Sequence, residues 1–237
     1  MPSLLGVLKR GYNWTNKRIA RAVVPLVVET QGRNLALVSL GEGEGAWIVP
    51  VELIKPGAVC YCVGVGLNAS FDVALARDLH AQVHSFDPTP SAIAHMGEIG
   101  AAGTGIDFHP WGLWKTNARL RFFAPMNRRH ANYSVRDIHA TGEYFEAECF
   151  TLGTLMERLG HRRIDLLKMD IEGAWRDVLD GMLGDGVLPS ILCVEFDTPT
   201  SLGKVLRMIA RLRGAGLSFI HRNRDNYLFV AQDLLKS

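Results

Sequence analysis

The sequence has no long hydrophobic run. Its longest apolar segment near the N-terminus, residues 22–28, is short and is interrupted by Pro25. A transmembrane helix requires roughly 20 predominantly apolar residues, and no signal-peptide cleavage pattern follows this segment. We therefore expect no stable membrane insertion and a cytoplasmic protein.

Cysteine is also scarce. The four cysteines, Cys60, Cys62, Cys149 and Cys193, show no C-x-x-C spacing, and they are too few for a small secreted fold held together by disulfides. Three of them lie in apolar, strand-like segments. We expect reduced, buried thiols and no metal site.

The excess of charge is small. The chain has 26 basic and 24 acidic residues, a formal net charge of +2, which does not indicate a nucleic-acid partner, and none is predicted. The basic residues are unevenly distributed, because a stretch without any acid contains Lys115, Arg119, Arg121, Arg128, Arg129 and Arg136. This cluster either attracts an anionic substrate or forms an ordinary solvated face.

The rest of the composition is typical of a globular α/β protein. Hydrophobic residues make up 48% of the 237 residues, and this length suits a single hydrophobic core near its upper size limit. From residue 57 onward, strand-like segments alternate with helical patterns, which indicates βαβ units and a mostly parallel sheet. Strands are predicted at residues 58–63, 82–86, 106–109, 164–169 and 191–196, and helices at 70–80, from about 91, at 152–159, 174–182 and 204–213.

The two ends of the chain differ from this pattern. Residues 217–221 and 227–231 are short apolar segments separated by a polar turn, which predicts a hairpin and an antiparallel last strand. Residues 1–50 are interpreted as an N-terminal extension or lid, in which residues 36–40 and 47–51 pair as a small ribbon. Residues 51–237 form the main domain.

A glycine-rich turn follows the first strand of this domain. Gly64-Val65-Gly66-Leu67-Asn68-Ala69 matches the pattern G-x-G-x-x-[GA], and Asp87 ends the second strand about 20 residues later, where a carboxylate accepts hydrogen bonds from both ribose hydroxyls. The turn itself is compatible with NAD or with S-adenosylmethionine. The C-terminal hairpin favours methyl transfer, because a dinucleotide fold would continue with parallel strands, and the chain contains no Y-x-x-x-K motif.

The second half of the chain resembles a known family. The segment Ile164-Asp165-Leu166-Leu167-Lys168-Met169-Asp170-Ile171-Glu172-Gly173-Ala174, preceded by Thr151-Leu152-Gly153-Thr154-Leu155, is similar to the T-L-x-x-L and I-D-L-L-K-x-D-x-E-G-A motifs of FkbM S-adenosylmethionine-dependent methyltransferases. The resemblance extends from about residue 59 to residue 196. The glycine turn departs from the family pattern. The common pattern of the family is D-x-G-A-N-x-G, whereas this chain has Cys62 at the position of the aspartate.

The resemblance implies a doubly wound, Rossmann-like class I methyltransferase sheet with S-adenosyl-L-methionine as cofactor. It implies cofactor contacts from Gly64, Val65, Gly66, Asn68, Asp87, Pro88, Trp111, Gly112 and Asp170. Asp170 and Glu172 would lie where methyl donor and acceptor meet, and His109, at the end of the third strand, is a further candidate base. The alternatives are an N-terminal cap of the next helix for Asp170, a first-turn helix acid for Glu172 and a packed side chain for His109.

The implied reaction is O-methylation of a hydroxyl on a sugar or natural product, so the expected partner is a small-molecule or glycan acceptor. Two other functions stay open at this point. One is an NAD-dependent oxidoreductase, and the other is a catalytically inactive module that only binds S-adenosylmethionine. The sequence leaves the oligomeric state open.

Overall fold

The computed structural model describes residues 15, 18–32, 34–124, 133, 135, 142–171, 173–197 and 200–236. Helix α1 covers residues 18–27, and the other helices are α2 (Ser70–Asp78), α3 (Pro90–Glu98), α4 (Ala101–Thr104), α5 (Leu152–Leu159), α6 (Trp175–Asp185) and α7 (Leu202–Gly214). The strands are β1 (Leu37–Leu40), β2 (Trp47–Pro50), β3 (Val59–Val63), β4 (Gln82–Phe86), β5 (Ile106–His109), β6 (Gly112–Leu113), β7 (Ala118–Phe123), β8 (Tyr144–Phe150), β9 (Leu166–Met169), β10 (Ile191–Glu195), β11 (Leu217–Asn223) and β12 (Asn226–Ala231).

A seven-stranded sheet forms the centre of the molecule, with strand order β11-β12-β10-β9-β3-β4-β5. Strands β10, β9, β3, β4 and β5 run parallel to their neighbours. Strand β12 inserts antiparallel between β10 and β11. The predicted doubly wound sheet and its antiparallel C-terminal hairpin are therefore confirmed.

Helices cover both faces of this sheet, as the nearly continuous apolar strands require. Tyr61 and Leu167 belong to the core that packs against α5, α6 and α7. Cys60 and Val83 belong to the opposite core, together with buried residues of α2 and α3. Parallel strands covered in this way have their carboxyl ends along one edge of the sheet, where the connecting loops meet.

Local signals account for the helix ends that the sequence predicted well. Helix α5 begins after Thr151, whose side chain accepts a hydrogen bond from the backbone N–H of Thr154, and ends at Gly160 in the left-handed conformation. Helix α3 begins after Thr89, which caps it in the same way, with Pro90 at the first helical position. These are the caps that helix termini favour.

The ribbon predicted in the N-terminal region is also confirmed, since β1 and β2 pair antiparallel. Trp47 and Val49 of β2 pack in the same core as β3 and β4. The division of the chain at residue 50 stays a prediction. Within the part of the chain that the structure describes, no helix is long and apolar enough to cross a membrane.

A second sheet, which the sequence analysis did not predict, lies between β5 and α5 along the chain. It has the order β6-β8-β7, with β7 and β8 antiparallel. Part of the basic cluster lies here: Arg119 and Arg121 both contact Glu146, at 3.3 and 3.2 Å, and Lys115 contacts Asp177 at 2.8 Å. These three basic residues form exposed ion pairs, whereas Arg128, Arg129 and Arg136 lie outside the described residues.

Candidate active site

A cavity of about 870 Å³ opens at the carboxyl edge of the parallel strands. Segments from across the fold form its wall: the β1–β2 turn, the glycine turn after β3, the ends of β4, β9 and β10, strand β6 and the β11–β12 turn. Of the predicted site residues, the structure places around this cavity Gly64, Val65, Gly66, Asn68, Asp87, Pro88, Gly112 and Asp170. Glu172 lies outside the described residues.

The glycine turn is held against the end of β9. Gly64 has a φ of +85°, and a Cβ atom there would lie 1.8 Å from the carbonyl oxygen of Asp170. Its N–H donates to the carbonyl of Phe86 at 2.9 Å. Only glycine fits this position, because other residues would clash with the backbone of the neighbouring strand.

Gly66 differs from Gly64 in its surroundings. Its φ is +58°, but a Cβ atom there would meet nothing within 4 Å, and the residue lines the cavity. The missing side chain therefore leaves space at the cavity wall, and a turn of this kind lets a ligand approach the backbone closely. This cradle fits a nucleoside cofactor.

Asp87 is buried below the glycine turn with its carboxylate already engaged. Oδ2 accepts from the N–H of Gly66 at 2.9 Å, whereas Oδ1 accepts from both the N–H and the hydroxyl of Thr89, at 2.8 and 2.6 Å. Each carboxylate oxygen has about two acceptor sites. One acceptor site therefore remains, on Oδ2. The carboxylate can accept one further hydrogen bond there, but it cannot accept one ribose hydroxyl on each oxygen.

The β1–β2 turn closes over the glycine turn. The side chain of Asn68 donates to the carbonyl of Glu42 at 3.0 Å and accepts from the N–H of Ser70 at 3.0 Å. The N–H of Glu42 in turn donates to the hydroxyl of Ser70 at 2.8 Å. The amide of Asn68 thus connects the N-terminal ribbon to the start of α2.

The ends of the neighbouring strands β9 and β10 bring two acidic residues to the cavity. Asp170 is half-buried there, and its N–H donates to the carbonyl of Val63 at 3.0 Å. Helix α6 begins after Ala174 without a side-chain cap, so Asp170 does not cap it. On the adjacent strand, Val194 is the register partner of Met169, and the next residues along the two strands, Glu195 and Asp170, both line the cavity.

His109 and Trp111 are not among the residues that line the cavity. The ring of His109 stacks on Phe86 and on Trp111, with centroids 5.0 and 4.9 Å apart. Its Nε2 lies 3.2 Å from Nδ1 of His84. His109 and Trp111 therefore take no part in the reaction proposed below.

The ring of His109 belongs to a cluster of three histidines, in which His84 is buried whereas His109 and His161 are half-buried. His84 packs edge-on against His161, whose Nδ1 lies 2.7 Å from the hydroxyl of Tyr61. Burial lowers the pKa of His84 to about 4, with a further contribution from the nearby charge of His161. Burial also lowers the pKa of His109 and of His161, so the cluster is neutral near pH 7.

Helix α1 is tied to the β11–β12 turn at the cavity mouth. Arg21 forms a bidentate ion pair with Asp225, at 3.0 and 2.7 Å, and Arg222 donates to the carbonyl of Arg21 at 2.7 Å. The hydrogen bond to Asp225 raises the pKa of Arg21, with smaller contributions that include the charge of Glu195. Sequence reasoning missed this contact because its partners are 204 residues apart.

Sequence reasoning also left Asp72, Lys168 and Glu195 out of the site. All three line the cavity. Glu195 had a usable signal, since it lies one residue before the end of the strand predicted at 191–196, at the same sheet edge as Asp87 and Asp170. Lys168 is the single charge within an apolar strand, a pattern that leaves open either a carboxylate partner or an amine directed to solvent.

The fold and the cavity together define a class. The sheet is parallel except for one reversed strand near its edge. A glycine turn follows the first parallel strand, and an acid ends the second, both at the cavity. This is the arrangement expected of a Rossmann-like methyltransferase. The comparison with protein families identifies the particular family. The model described as "Methyltransferase FkbM domain" matches residues 59–217, so the chain belongs to this family of S-adenosylmethionine-dependent methyltransferases, and S-adenosyl-L-methionine is its cofactor.

Solved structures resemble the chain at low identity. A variant of MtNAS is 11% identical, covering 75% of this chain and 55% of that chain with a TM-score of 0.40. Aeropyrum pernix fibrillarin with natively bound S-adenosyl-L-methionine is 11% identical, covering 75% and 67% with a TM-score of 0.40. A Pyrococcus furiosus methyltransferase is 10% identical, covering 94% and 98% with a TM-score of 0.41.

The chain therefore spans about half the length of MtNAS. Sequence identities and TM-scores this low give no information about the substrate. No curated protein matches the chain.

Proposed function

We propose that this chain transfers the methyl group of S-adenosylmethionine to a hydroxyl group of a sugar or other hydroxylated natural product. The observation that carries the proposal is the position of Asp170. Its backbone packs directly against the glycine turn, and its residue lines the same cavity. A carboxylate is thus next to the segment that holds the methyl donor.

The cavity wall provides contacts for each part of the cofactor. In this proposal, the open side of Gly66 receives the cofactor backbone, and Oδ2 of Asp87 accepts one ribose hydroxyl at its remaining site. Pro88, Gly112 and Leu113 border the space for the adenine. Bound S-adenosylmethionine supplies an electrophilic methyl group on a sulfonium, which is an excellent leaving group.

Asp170 acts as the general base. A hydroxyl acceptor must lose its proton as the new bond to the methyl carbon forms, and a carboxylate within hydrogen-bond reach adds roughly 10²–10⁴-fold to the rate. Glu195 is the rival base on the adjacent strand. We assign the role to Asp170 because its backbone lies directly against Gly64 of the glycine turn, whereas Glu195 lies one strand further away.

The size and polarity of the cavity favour a hydroxylated acceptor. Ligand sites of about 300–1,000 Å³ hold drug-sized molecules, and a volume of about 870 Å³ leaves room beside the cofactor. The residues that line the cavity include Arg21 of α1 and, from the β11–β12 turn, Asn223, Arg224 and Asn226. Such side chains offer hydrogen bonds to several hydroxyl groups, which suits a glycan better than an apolar ring system.

The test is a transfer assay with S-adenosylmethionine labelled in its methyl group and a panel of monosaccharides, glycosides and phenolic natural products. The wild-type protein should label a hydroxyl oxygen in at least one compound. Asp170→Asn should lower kcat by on the order of 10²-fold without changing the Kd of S-adenosylhomocysteine. Asp185→Asn, a substitution of an exposed acid on α6 away from the cavity, is the matched control and should behave as wild type.

The same assay separates the alternatives. If Glu195→Gln lowers kcat and Asp170→Asn does not, Glu195 is the base. Binding of S-adenosylhomocysteine without transfer to any acceptor would favour a binding module. Labelling of nitrogen or carbon atoms would overturn the O-methylation proposal.

A further inference from the structure

Lys168 is a buried cation at the wall of the cavity. It lies in β9, only 5% of the residue is exposed, and it is one of the residues that line the cavity. Its Nζ donates to the carbonyl of Gly64, and the same amine lies 5.7 Å from the centroid of the Trp47 ring. An ammonium group has three donors, so the contact with Gly64 leaves two of them for other partners.

The strands on either side of Lys168 do not balance this charge. Lys168 is the register partner of Cys62 in β3 and of Cys193 in β10. Burial raises the pKa of the Cys62 thiol well above its usual range and raises the pKa of Cys193 to about 12, so both thiols are neutral. The two side chains that flank Lys168 in the sheet therefore offer no anion.

Within the described part of the chain, no carboxylate forms an ion pair with this amine. Asp72 also lines the cavity, but its Oδ2 accepts from the hydroxyl of Ser85 at 2.6 Å. Burial raises the pKa of Asp72, and the charge of Lys168 opposes this rise without a direct contact. Removing an ammonium group from water is costly unless an anion and hydrogen bonds replace the water. The amine therefore lacks a direct anionic partner, and the cavity is the space from which one can reach it.

The cofactor carries such an anion, because S-adenosylmethionine has an α-carboxylate on its methionine part. Three basic residues are among the described residues that line the cavity, namely Arg21, Lys168 and Arg224. The guanidinium of Arg21 is bound by both carboxylate oxygens of Asp225, and Arg224 is exposed on the β11–β12 turn. Of these three, Lys168 is the residue that contacts the glycine turn, the segment assigned to the cofactor.

We propose that Lys168 binds the α-carboxylate of S-adenosylmethionine and shares its ammonium group between that carboxylate and the carbonyl of Gly64. The cofactor then supplies the anion that the fold does not place at the amine. Such a charge-assisted hydrogen bond is strong in a site shielded from water. Lys168 thus selects ligands that carry a carboxylate at this end. The inference rests on the binding of S-adenosylmethionine, and not on the identity of the acceptor.

Two ligands that differ only in this carboxylate test the inference. Calorimetry gives the Kd of S-adenosylhomocysteine and of its decarboxylated analogue, which keeps the amine. The wild type should bind S-adenosylhomocysteine at least about tenfold more tightly than the analogue. Lys168→Met keeps the length of the side chain but removes its charge, so its two Kd values should lie within about threefold of each other.

A second lysine provides the matched control. Lys55 also donates to a backbone carbonyl, that of Glu52 at 2.6 Å, but it is exposed and is not among the residues that line the cavity. Lys55→Met should keep the wild-type preference for S-adenosylhomocysteine, and so should Arg224→Ala. Loss of the preference in Arg224→Ala but not in Lys168→Met would place the carboxylate at the β11–β12 turn and overturn the inference.

Two further results would contradict the inference. One is equal affinity of the wild type for the two ligands. The other is an equal loss of affinity for both ligands in Lys168→Met, because Lys168 would then only hold the glycine turn. If Lys168→Met does not fold, Lys168→Gln replaces it, since its amide can still donate to the carbonyl of Gly64, and it should likewise lose the preference. If neither variant folds, a preference that survives in Arg224→Ala supports the inference, and its absence overturns it.

These outcomes are distinguishable from failure of the proposed function. If the wild type binds neither ligand, the cofactor assignment at the glycine turn is wrong, and this inference is overturned with it. If binding follows the predicted pattern but no hydroxyl becomes methylated in the transfer assay, the inference stands and only the proposed reaction fails.

Discussion

The two glycines of the cofactor turn should respond differently to the same substitution. Gly64→Ala places a methyl group 1.8 Å from the carbonyl oxygen of Asp170, at a φ of +85°. Gly66→Ala also has a positive φ, of +58°, but its methyl group meets nothing within 4 Å. The first change therefore affects folding, whereas the second enters the space assigned to the cofactor.

The expected magnitudes follow from these surroundings. A left-handed backbone costs an alanine roughly 1–2 kcal/mol, and both variants carry this cost. Gly64→Ala adds an overlap with backbone, and overpacking of a well-packed site costs about 1–3 kcal/mol or more. For a chain of this size, the sum corresponds to a fall in Tm of on the order of 10 °C for Gly64→Ala and of a few degrees for Gly66→Ala.

Calorimetric unfolding and titration with S-adenosylhomocysteine check both halves of this prediction. Gly66→Ala should remain folded but bind at least about tenfold more weakly, since its methyl group occupies ligand space. Equal losses of Tm in the two variants would refute the difference in packing. An unchanged Kd in Gly66→Ala would refute the assignment of its open side to the cofactor.

Three further predictions concern the histidine cluster, the ribose contact and the helix at the cavity mouth. Because the folded-state pKa of His84 is about 4 and an unfolded histidine titrates near pH 6.5, its stabilisation is present above pH 6.5 and is lost as the pH falls toward 4. The loss of unfolding free energy amounts to about 2 kcal/mol at pH 5. In urea unfolding, the free energy of unfolding of His84→Gln should therefore depend less on pH than that of the wild type; the same dependence in both would contradict the prediction. Asp87→Asn should weaken S-adenosylhomocysteine binding by about 1–3 kcal/mol, and unchanged calorimetric affinity would remove the ribose contact from the account. Arg21→Ala should raise KM for the acceptor more than Kd for the cofactor, because it detaches α1 from Asp225; the reverse order would show that α1 does not border the acceptor.

The parallel strands were predictable because their sequence signal is strong. Residues 82–86 and 106–109 are strands with the predicted bounds, and residues 152–159 form a helix with the predicted bounds. Buried parallel strands are apolar on both faces, so each strand is a continuous run of apolar residues in the sequence, with turn residues at its ends. The alternation with helices predicted a mostly parallel sheet, and the terminal hairpin predicted its antiparallel last strand; the order of the strands in the sheet is known only from the structure.

The second sheet was missed for a physical reason. Residues Ala118–Phe123 largely alternate between exposed and partly buried positions, but their basic residues were interpreted as a cluster that either attracts an anionic substrate or forms a solvated face. Tyr144–Phe150 shows the same alternation. A half-buried antiparallel strand has this period of two, so the sequence could have predicted the two strands. It could not have predicted that they pair with each other across residues 124–143.

The site was predictable where it depends on strand ends, and not where it depends on distant partners. The glycine turn, Asp87 and Asp170 are placed together because carboxyl ends of parallel strands share one edge. Asp72 was not predicted, because an acid in a helix is expected to face solvent, and only the fold brings its carboxylate to the hydroxyl of Ser85. The catalytic and binding roles of the predicted residues stay predictions.

Calorimetric titration of the purified chain with S-adenosylhomocysteine and, in parallel, with NAD tests the central claim most directly. The account predicts saturable binding of S-adenosylhomocysteine at one site, weakened in Gly66→Ala, and no heat of binding with NAD. Binding of NAD with no binding of S-adenosylhomocysteine would contradict the account.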